Sequence, residues 1–149
     1  MNLLKRIFGL LSICFFLMGC EFGHYLLIND TGTQKNISFQ CGELSMSAKE
    51  VAINHFFIDI SYTLVKEVVF YSDSLQIQYR DHVLPFNVSV TSKNQEESKL
   101  MIRDRGKISV QFSIGGGIGK GDTIMIKGNG YIYCDNTGVD VGTINLIRR

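Results

Sequence analysis

Glycine is concentrated in one stretch, Gly-Gly-Gly-Ile-Gly-Lys-Gly-Asp-Thr at positions 115–123. Backbone N–H groups of such loops can hold a phosphate. The Walker motif, however, requires a glycine where Ile114 stands and a serine or threonine where Gly121 stands. The dinucleotide motif fails because Lys120 occupies the place of its third glycine. We therefore expect a flexible hairpin connection, or a loop whose exposed backbone contacts a ligand or partner. The residues assigned to that loop are Gly115, Gly116, Gly117, Gly119, Lys120 and Gly121.

Side chains that could act in acid–base or nucleophilic catalysis are present but scattered. A serine nucleophile needs a histidine and an orienting acid, and no Gly-x-Ser-x-Gly turn is present. His82 falls in a polar segment, 79–82, which we interpret as a hairpin turn. Asp59 interrupts an apolar run, but alternation groups it with Phe57 and Ser61 on a solvent-facing side. No carboxylate pair is placed for glycoside hydrolysis. We predict a protein that is not an enzyme and has no cofactor.

The first residues have the layout of a secretory signal. Lys5 and Arg6 precede an apolar segment, residues 7–18. That segment is shorter than the roughly 20 residues of a membrane-spanning helix. A cleaved signal is the expectation, and an uncleaved N-terminal anchor helix is the alternative.

The signal ends in Leu17-Met18-Gly19-Cys20, which resembles the lipobox of bacterial lipoproteins. The resemblance implies that Cys20 carries a diacylglyceryl group and that the chain is cleaved before it. Residues 1–19 would then be the signal peptide, 20–24 a lipidated N-terminus with a short tether, and 25–149 a single domain. Two or three acyl chains give stable anchoring where one is marginal. Glu21 stands where an Asp tends to retain such proteins in the inner membrane, so the outer membrane is expected.

Two of the four cysteines remain for the domain if Cys14 leaves with the signal and Cys20 carries lipid. In an oxidising compartment, Cys41 and Cys134 are expected to form a disulfide. Two separate buried thiols are the alternative. A zinc site would need further ligands at suitable spacing. The histidines are scattered, at His24, His55 and His82, so no metal site is expected.

Size and charge restrict the partners. Removing the first 19 of 149 residues leaves 130, enough for one domain. Removing Lys5 and Arg6 from 15 basic residues leaves 13 against 14 acidic ones, a net charge of −1. Since no basic excess is available to neutralise phosphates, nucleic acid is not expected as a partner. The expected contacts are the membrane, through lipid on Cys20, and an envelope protein or an extracellular ligand.

Most of the chain consists of short β-prone runs at intervals of about 8 to 12 residues, separated by turn residues. The runs are 25–28, 37–41, 51–62, 65–71, 75–79, 84–91, 100–102, 107–114, 123–127, 130–134 and 141–147. This pattern predicts an all-β, mainly antiparallel fold: a β-sandwich, Ig-like or similar, with a small β-barrel as the alternative. The one helix candidate is 44–54, where Ala48, Lys49 and Glu50 favour helix.

A lipid-tethered binding or envelope-assembly module is the function that these features favour. Its candidate contact segments are 115–121, 92–99 and 79–82. A structural envelope component is one alternative. For another, Gly128-Asn129-Gly130-Tyr131 resembles the Ser-Gly-x-x-Tyr motif of membrane-bound lysozyme inhibitors, with Lys127 in the place of the serine. That resemblance implies a small β-barrel lipoprotein with a disulfide, which inserts a loop into the lysozyme cleft.

Overall fold

A computed structural model describes residues 24–28, 32–90, 93–94 and 98–148. Over these ranges the chain forms strands, one 3₁₀ turn at Ser72–Ser74 and no α-helix. No helix in the described part of the chain is long and apolar enough to cross a membrane. In chain order the strands are β1 (His24–Tyr25), β2 (Leu27–Ile28), β3 (Gln34–Phe39), β4 (Gly42–Ala52), β5 (His55–Leu64), β6 (Val68–Tyr71), β7 (Ile77–Tyr79), β8 (His82–Val83), β9 (Phe86–Val90), β10 (Lys93–Asn94), β11 (Lys99–Ile102), β12 (Arg105–Ser113), β13 (Thr123–Ile126), β14 (Ile132–Cys134), β15 (Thr137–Gly138) and β16 (Ile144–Ile147).

The strands form three antiparallel sheets. The large sheet has the order β1-β4-β5-β12-β9-β10, and β3 pairs with the same edge of β4 that β1 uses further along. The five-stranded sheet has the order β2-β16-β13-β7-β8, and the four-stranded sheet has the order β11-β6-β14-β15. None of these paths returns to its first strand, so the sheets are open. The all-β, sandwich-like prediction is confirmed, and the closed-barrel alternative is wrong.

Alternating polarity along the strands produces a single core. In β5, for example, Phe56, Ile58 and Ile60 are buried while the residues between them face outward. Inward-facing residues of all three sheets join in one buried apolar cluster. Phe56 stacks on Phe112 at 5.3 Å between ring centroids, and Phe70 meets the edge of Tyr131 at 5.9 Å. Such ring pairs each add roughly 0.5–1.5 kcal/mol beyond the area that they bury.

The helix expected at 44–54 is wrong, because most of this segment lies in β4, the longest strand of the large sheet. Leu44, Met46 and Ala48 alternate on the inner face at 1–2% exposure. Pairing with β3 on one side and β5 on the other satisfies the backbone along most of the segment. Burial with period two and pairing on both sides outweigh the weak helix preference of Ala48, Lys49 and Glu50.

The apolar run at 51–62 contains a turn that the sequence pattern did not reveal. Ala52 pairs with His55, so Ile53 and Asn54 form a two-residue hairpin connection between β4 and β5. Asn54 has a φ of 63°, in the left-handed region that asparagine tolerates better than most residues. A register shift between Glu50 and Ala52 marks a bulge just before the turn.

Cys41 and Cys134 form a disulfide, as expected, with their Cα atoms 6.0 Å apart. Cys41 immediately precedes β4 in the large sheet, and Cys134 ends β14 in the four-stranded sheet. The bond therefore joins two sheets that backbone hydrogen bonds do not connect.

Candidate functional site

The two ends of the large sheet differ in chemistry. One end, called here the hairpin end, carries the β4–β5 turn at Ile53–Asn54 and, beside it, the glycine-rich loop between β12 and β13. At the other end, the outward side chains of four adjacent strands line a depression of about 700 Å³. The sequence pointed to the first region and missed the second.

The glycine-rich loop at the hairpin end is held by several specific contacts. The Ile114 N–H donates to the Asn54 carbonyl at 3.0 Å, and the Arg148 guanidinium donates to the Ile118 carbonyl. The Gly119 N–H donates to Asp122 Oδ2 at 2.8 Å, and the Gly121 N–H donates to the carbonyl of Arg148 at 2.8 Å. Two amides that a phosphate would need are therefore already bonded within the protein. The expected hairpin connection is wrong, because the loop joins β12 of the large sheet to β13 of the five-stranded sheet and is held by these contacts.

Asp122 joins this loop to the 79–82 turn. Its Oδ2 accepts a hydrogen bond from the Tyr79 hydroxyl at 2.6 Å and lies 3.7 Å from an Arg80 guanidinium nitrogen. The Tyr79 hydrogen bond, then that of the Gly119 amide, lowers the pKa of Asp122, and the same carboxylate raises the pKa of Tyr79. Two of the three contact segments expected from sequence thus meet at one end of the domain.

An ion pair between Arg148 and the buried Glu50 joins the C-terminal strand to the same end. Glu50 Oε2 lies 3.1 Å from Arg148 Nε, and the Glu50 side chain is only 5% exposed. Its other oxygen, Oε1, accepts the Asn54 N–H at 3.1 Å. Glu50 therefore supports both the hairpin turn and the residue that holds the loop.

A serine–histidine pair lies close to the hairpin turn. Ser113 Oγ is 2.8 Å from His55 Nδ1, across neighbouring positions of β12 and β5. Both side chains are exposed, and over the described residues no carboxylate bonds to the histidine. An activated serine needs a base that a third group orients. The pair therefore lacks the third member of a catalytic arrangement.

The depression lies on the outer face of β3, β4, β5 and β12. Its floor consists of the short hydroxyl side chains of Ser45, Ser61 and Thr63. Charged side chains lie beside them in register, because Lys107 pairs with Ser61, and Glu43 and Arg105 both pair with Thr63. The outward side chains that line it are Asn36, Ser38, Glu43, Ser45, Ser61, Thr63, Arg105 and Lys107.

Charge is arranged asymmetrically around that floor. Lys107 Nζ bonds Asp59 Oδ2 at 2.8 Å, while Asp59 Oδ1 accepts the Ser109 hydroxyl at 2.7 Å. Asp59 thus lies on the outer face, as the alternation predicted. Glu43 and Arg105 flank Thr63 on opposite sides and form no ion pair with any described residue. Two strand spacings place their backbones about 10 Å apart. The arrangement offers hydroxyl, amide and both charge types to a polar partner.

Sequence reasoning missed the depression because its residues come from four separated segments. Each of β3, β4 and β5 carries short polar residues at alternate positions, as in Ser45 and Ser47 of β4 or Ser61 and Thr63 of β5. That pattern marks an outward face but does not indicate which strands are neighbours. Strand order was the missing information.

Other expected features have a mixed outcome. The structure describes half of the segment at 92–99, namely β10, which pairs with β9, and the residues Ser98 and Lys99. In the inhibitor-like stretch Gly128 and Tyr131 are buried, so these two residues cannot reach a partner at the surface. The one ligand-like grouping found in the described part of the chain is Cys41, Cys134 and Asp135. Its cysteines form the disulfide and supply no thiolate.

Comparison of the chain with protein-family models, with curated proteins and with solved structures gives no match.

Proposed function

We propose that the protein is a lipid-anchored, non-catalytic binding module of the bacterial cell envelope, and that the depression is its contact face. The observation that carries the proposal is a depression, bordered by outward hydroxyl and charged side chains, at the end of the large sheet remote from His24. The anchor is the lipid on Cys20, and Glu21 favours the outer membrane.

The direction of the first strand supports this arrangement. β1 runs antiparallel to β4, with His24 opposite Glu50 and Tyr25 opposite Lys49. Going back along β1 from Tyr25 to His24, the backbone therefore moves toward the hairpin end. Glu43, at the depression, is seven positions before Glu50 along β4, a separation of about 23 Å. A domain tethered through Cys20 would present the depression away from the lipid.

The outward side chains of the depression supply hydrogen-bonding and charged groups to a partner. Small hydroxyl side chains leave the sheet surface accessible, and Arg105 and Glu43 stand at its margins. A partner segment that carries both hydrogen-bonding and charged groups would satisfy them, as an envelope protein or an extracellular ligand can. Arginine is enriched among residues that dominate interface energies, so Arg105 is assigned the largest contribution.

The binding role is also supported over a catalytic one by the side chains available. The Ser113–His55 pair is exposed and lacks an orienting acid in the described structure. Asp59 is engaged by Lys107 and Ser109.

The contact face can be tested by photo-crosslinking in the native host. A photoreactive phenylalanine replaces Thr63 in the depression or, as a control, Gln111 on the same outer face of β12; both residues are exposed. We expect a discrete adduct from the Thr63 position and none from Gln111, with mass spectrometry identifying the partner. Arg105→Glu should weaken that adduct, whereas Lys127→Glu, an exposed change outside the depression, should not. Equal labelling from both probe positions would contradict the assignment.

The anchor is tested independently by growth with a fatty-acid analogue. Label is expected on the full-length protein and not on the Cys20→Ala variant. Equal label on both forms would refute lipidation at Cys20.

A further inference from the structure

The hairpin end carries an exposed apolar tip that the binding function does not use. Ile53 is 83% exposed and Val51 is 37% exposed, with Ala52 exposed between them. The turn is held from within, because Glu50 accepts the Asn54 N–H and the Asn54 carbonyl accepts the Ile114 N–H. These hydrogen bonds hold the turn in place, with its apolar side chains exposed to solvent.

The length of the tether places this tip close to the proposed lipid. Three residues lie between Cys20 and His24, and the four Cα–Cα steps from one to the other span at most about 14 Å. From the level of His24 and its partner Glu50, the chain needs three more residues, about 10 Å, to reach Ile53. The lipid-bearing Cys20 and the tip at Ile53 can therefore both lie at the membrane surface.

Charge around the tip fits a lipid surface. Residues 51–54 and 114–119 contain no ionisable side chain. Of the acids at this end, Glu50 is buried against Arg148 and Asp122 is bonded to Tyr79, while the exposed Asp81 follows the exposed Arg80 in the 79–82 turn. The exposed Lys120 follows directly in the glycine-rich loop. An apolar projection next to a cation is the composition that enters the boundary between headgroups and acyl chains.

We infer that the β4–β5 tip, Val51 to Asn54, inserts into the membrane surface as a second contact beside the lipid on Cys20. The inference rests on the proposed lipid anchor and extends it. A single attachment would leave the domain free to rotate, whereas a second contact about 10 Å from the level of His24 would fix its orientation. The depression would then face away from the bilayer.

The chain contains no tryptophan, so tryptophan fluorescence can come only from an introduced one. The test uses the lipoprotein purified from membranes, with Ile53→Trp as the probe. Val65→Trp is the matched control, because Val65 is equally apolar at 80% exposure but follows the opposite end of β5, about 30 Å away. Each variant is reconstituted in phosphatidylethanolamine–phosphatidylglycerol vesicles with or without brominated acyl chains.

Insertion predicts a blue-shifted emission and loss of intensity in brominated vesicles for Ile53→Trp, and neither change for Val65→Trp. Equal quenching of the two variants, or none at Ile53→Trp, would overturn the inference while Cys20-dependent fatty-acid label shows that the anchor stands. Absence of that label would overturn the proposed anchor and the inference together.

Discussion

Replacing Tyr131 by phenylalanine should stabilise the protein. Tyr131 is 0% exposed, and its hydroxyl oxygen is buried without a hydrogen-bond partner among the described residues. Burying an unpaired hydroxyl costs about 1–3 kcal/mol. The edge contact with Phe70, at 5.9 Å between ring centroids, depends on the ring and survives the change. We therefore expect the free energy of unfolding to rise by about 1–2 kcal/mol, or Tm by about 3–6 °C in a domain of this size.

Urea unfolding of both proteins at neutral pH measures the difference, with the midpoint raised and the slope unchanged. Tyr133→Phe is the control, because Tyr133 is half-buried and its ring packs at the edge of Tyr71; its unfolding free energy should hardly change. Burial raises the pKa of Tyr131 well above its usual 10. The folded protein therefore keeps this phenol neutral while the unfolded chain ionises it above about pH 10. The advantage of Tyr131→Phe should grow in that range.

Destabilisation of Tyr131→Phe by 1 kcal/mol or more would refute this reasoning. It would mean that the hydroxyl is hydrogen-bonded, for example to a buried water, because loss of a satisfied hydrogen bond has that sign and size. A pH-independent difference between wild type and variant would also contradict the argument, since it would remove the link between burial and ionisation.

Three further changes test the parts that hold the domain together. Replacing both Cys41 and Cys134 by serine should lower the unfolding free energy by about 4–5 kcal/mol under the chain-entropy model, since the bond spans 93 residues. Denaturant melts of the wild-type protein with and without reductant measure the same loss, and equal stability in both conditions would contradict it. Gly128→Ala should cost about 2–3 kcal/mol or more, because its Cβ would lie 1.8 Å from the Gly142 carbonyl oxygen, whereas Gly115→Ala, in open space, should cost under about 0.5 kcal/mol by thermal melting. Asp122→Asn should be less stable than wild type near pH 6. The difference should shrink as the pH falls through the lowered pKa of folded Asp122, where the carboxylate of the wild type becomes protonated. Urea midpoints across pH 2–6 report this change, and a difference that does not depend on pH would refute the role of ionisation.

The fold was largely predictable because burial on a sheet leaves a local signature. The alternation in β12, where Ile108, Val110 and Phe112 are buried, is visible in the sequence. The disulfide followed from compartment and from elimination among four cysteines. The helix prediction for the β4 segment was wrong because Ala48, Lys49 and Glu50 have a local helix preference. The burial of Ala48 and Glu50 depends on partners distant in sequence.

The candidate site was not predictable for a related reason. The glycine-rich loop stood out by composition, yet its amides are engaged by Asp122 and the Arg148 carbonyl. The depression stood out in no single segment, because Ser45, Ser61 and Lys107 become neighbours only through the order of β4, β5 and β12. The amino-acid composition of a segment can reveal an unusual loop, whereas the residues that share a sheet surface depend on which strands pair.

Both surfaces in the proposed arrangement are attached to the same two strands. β4 has 11 residues and β5 has 10, about 35 Å of sheet, with the depression at one end and the apolar tip at the other. The disulfide joins the depression end to the four-stranded sheet, and the ion pair between buried Glu50 and Arg148 joins the tip end to the C-terminal strand. Since paired strands resist bending along their length, the sheet behaves as a spacer of fixed length. Contact of the tip with a membrane would therefore set the height at which a partner meets the depression, and shortening the β4–β5 hairpin by two residue pairs should lower that height by about 7 Å.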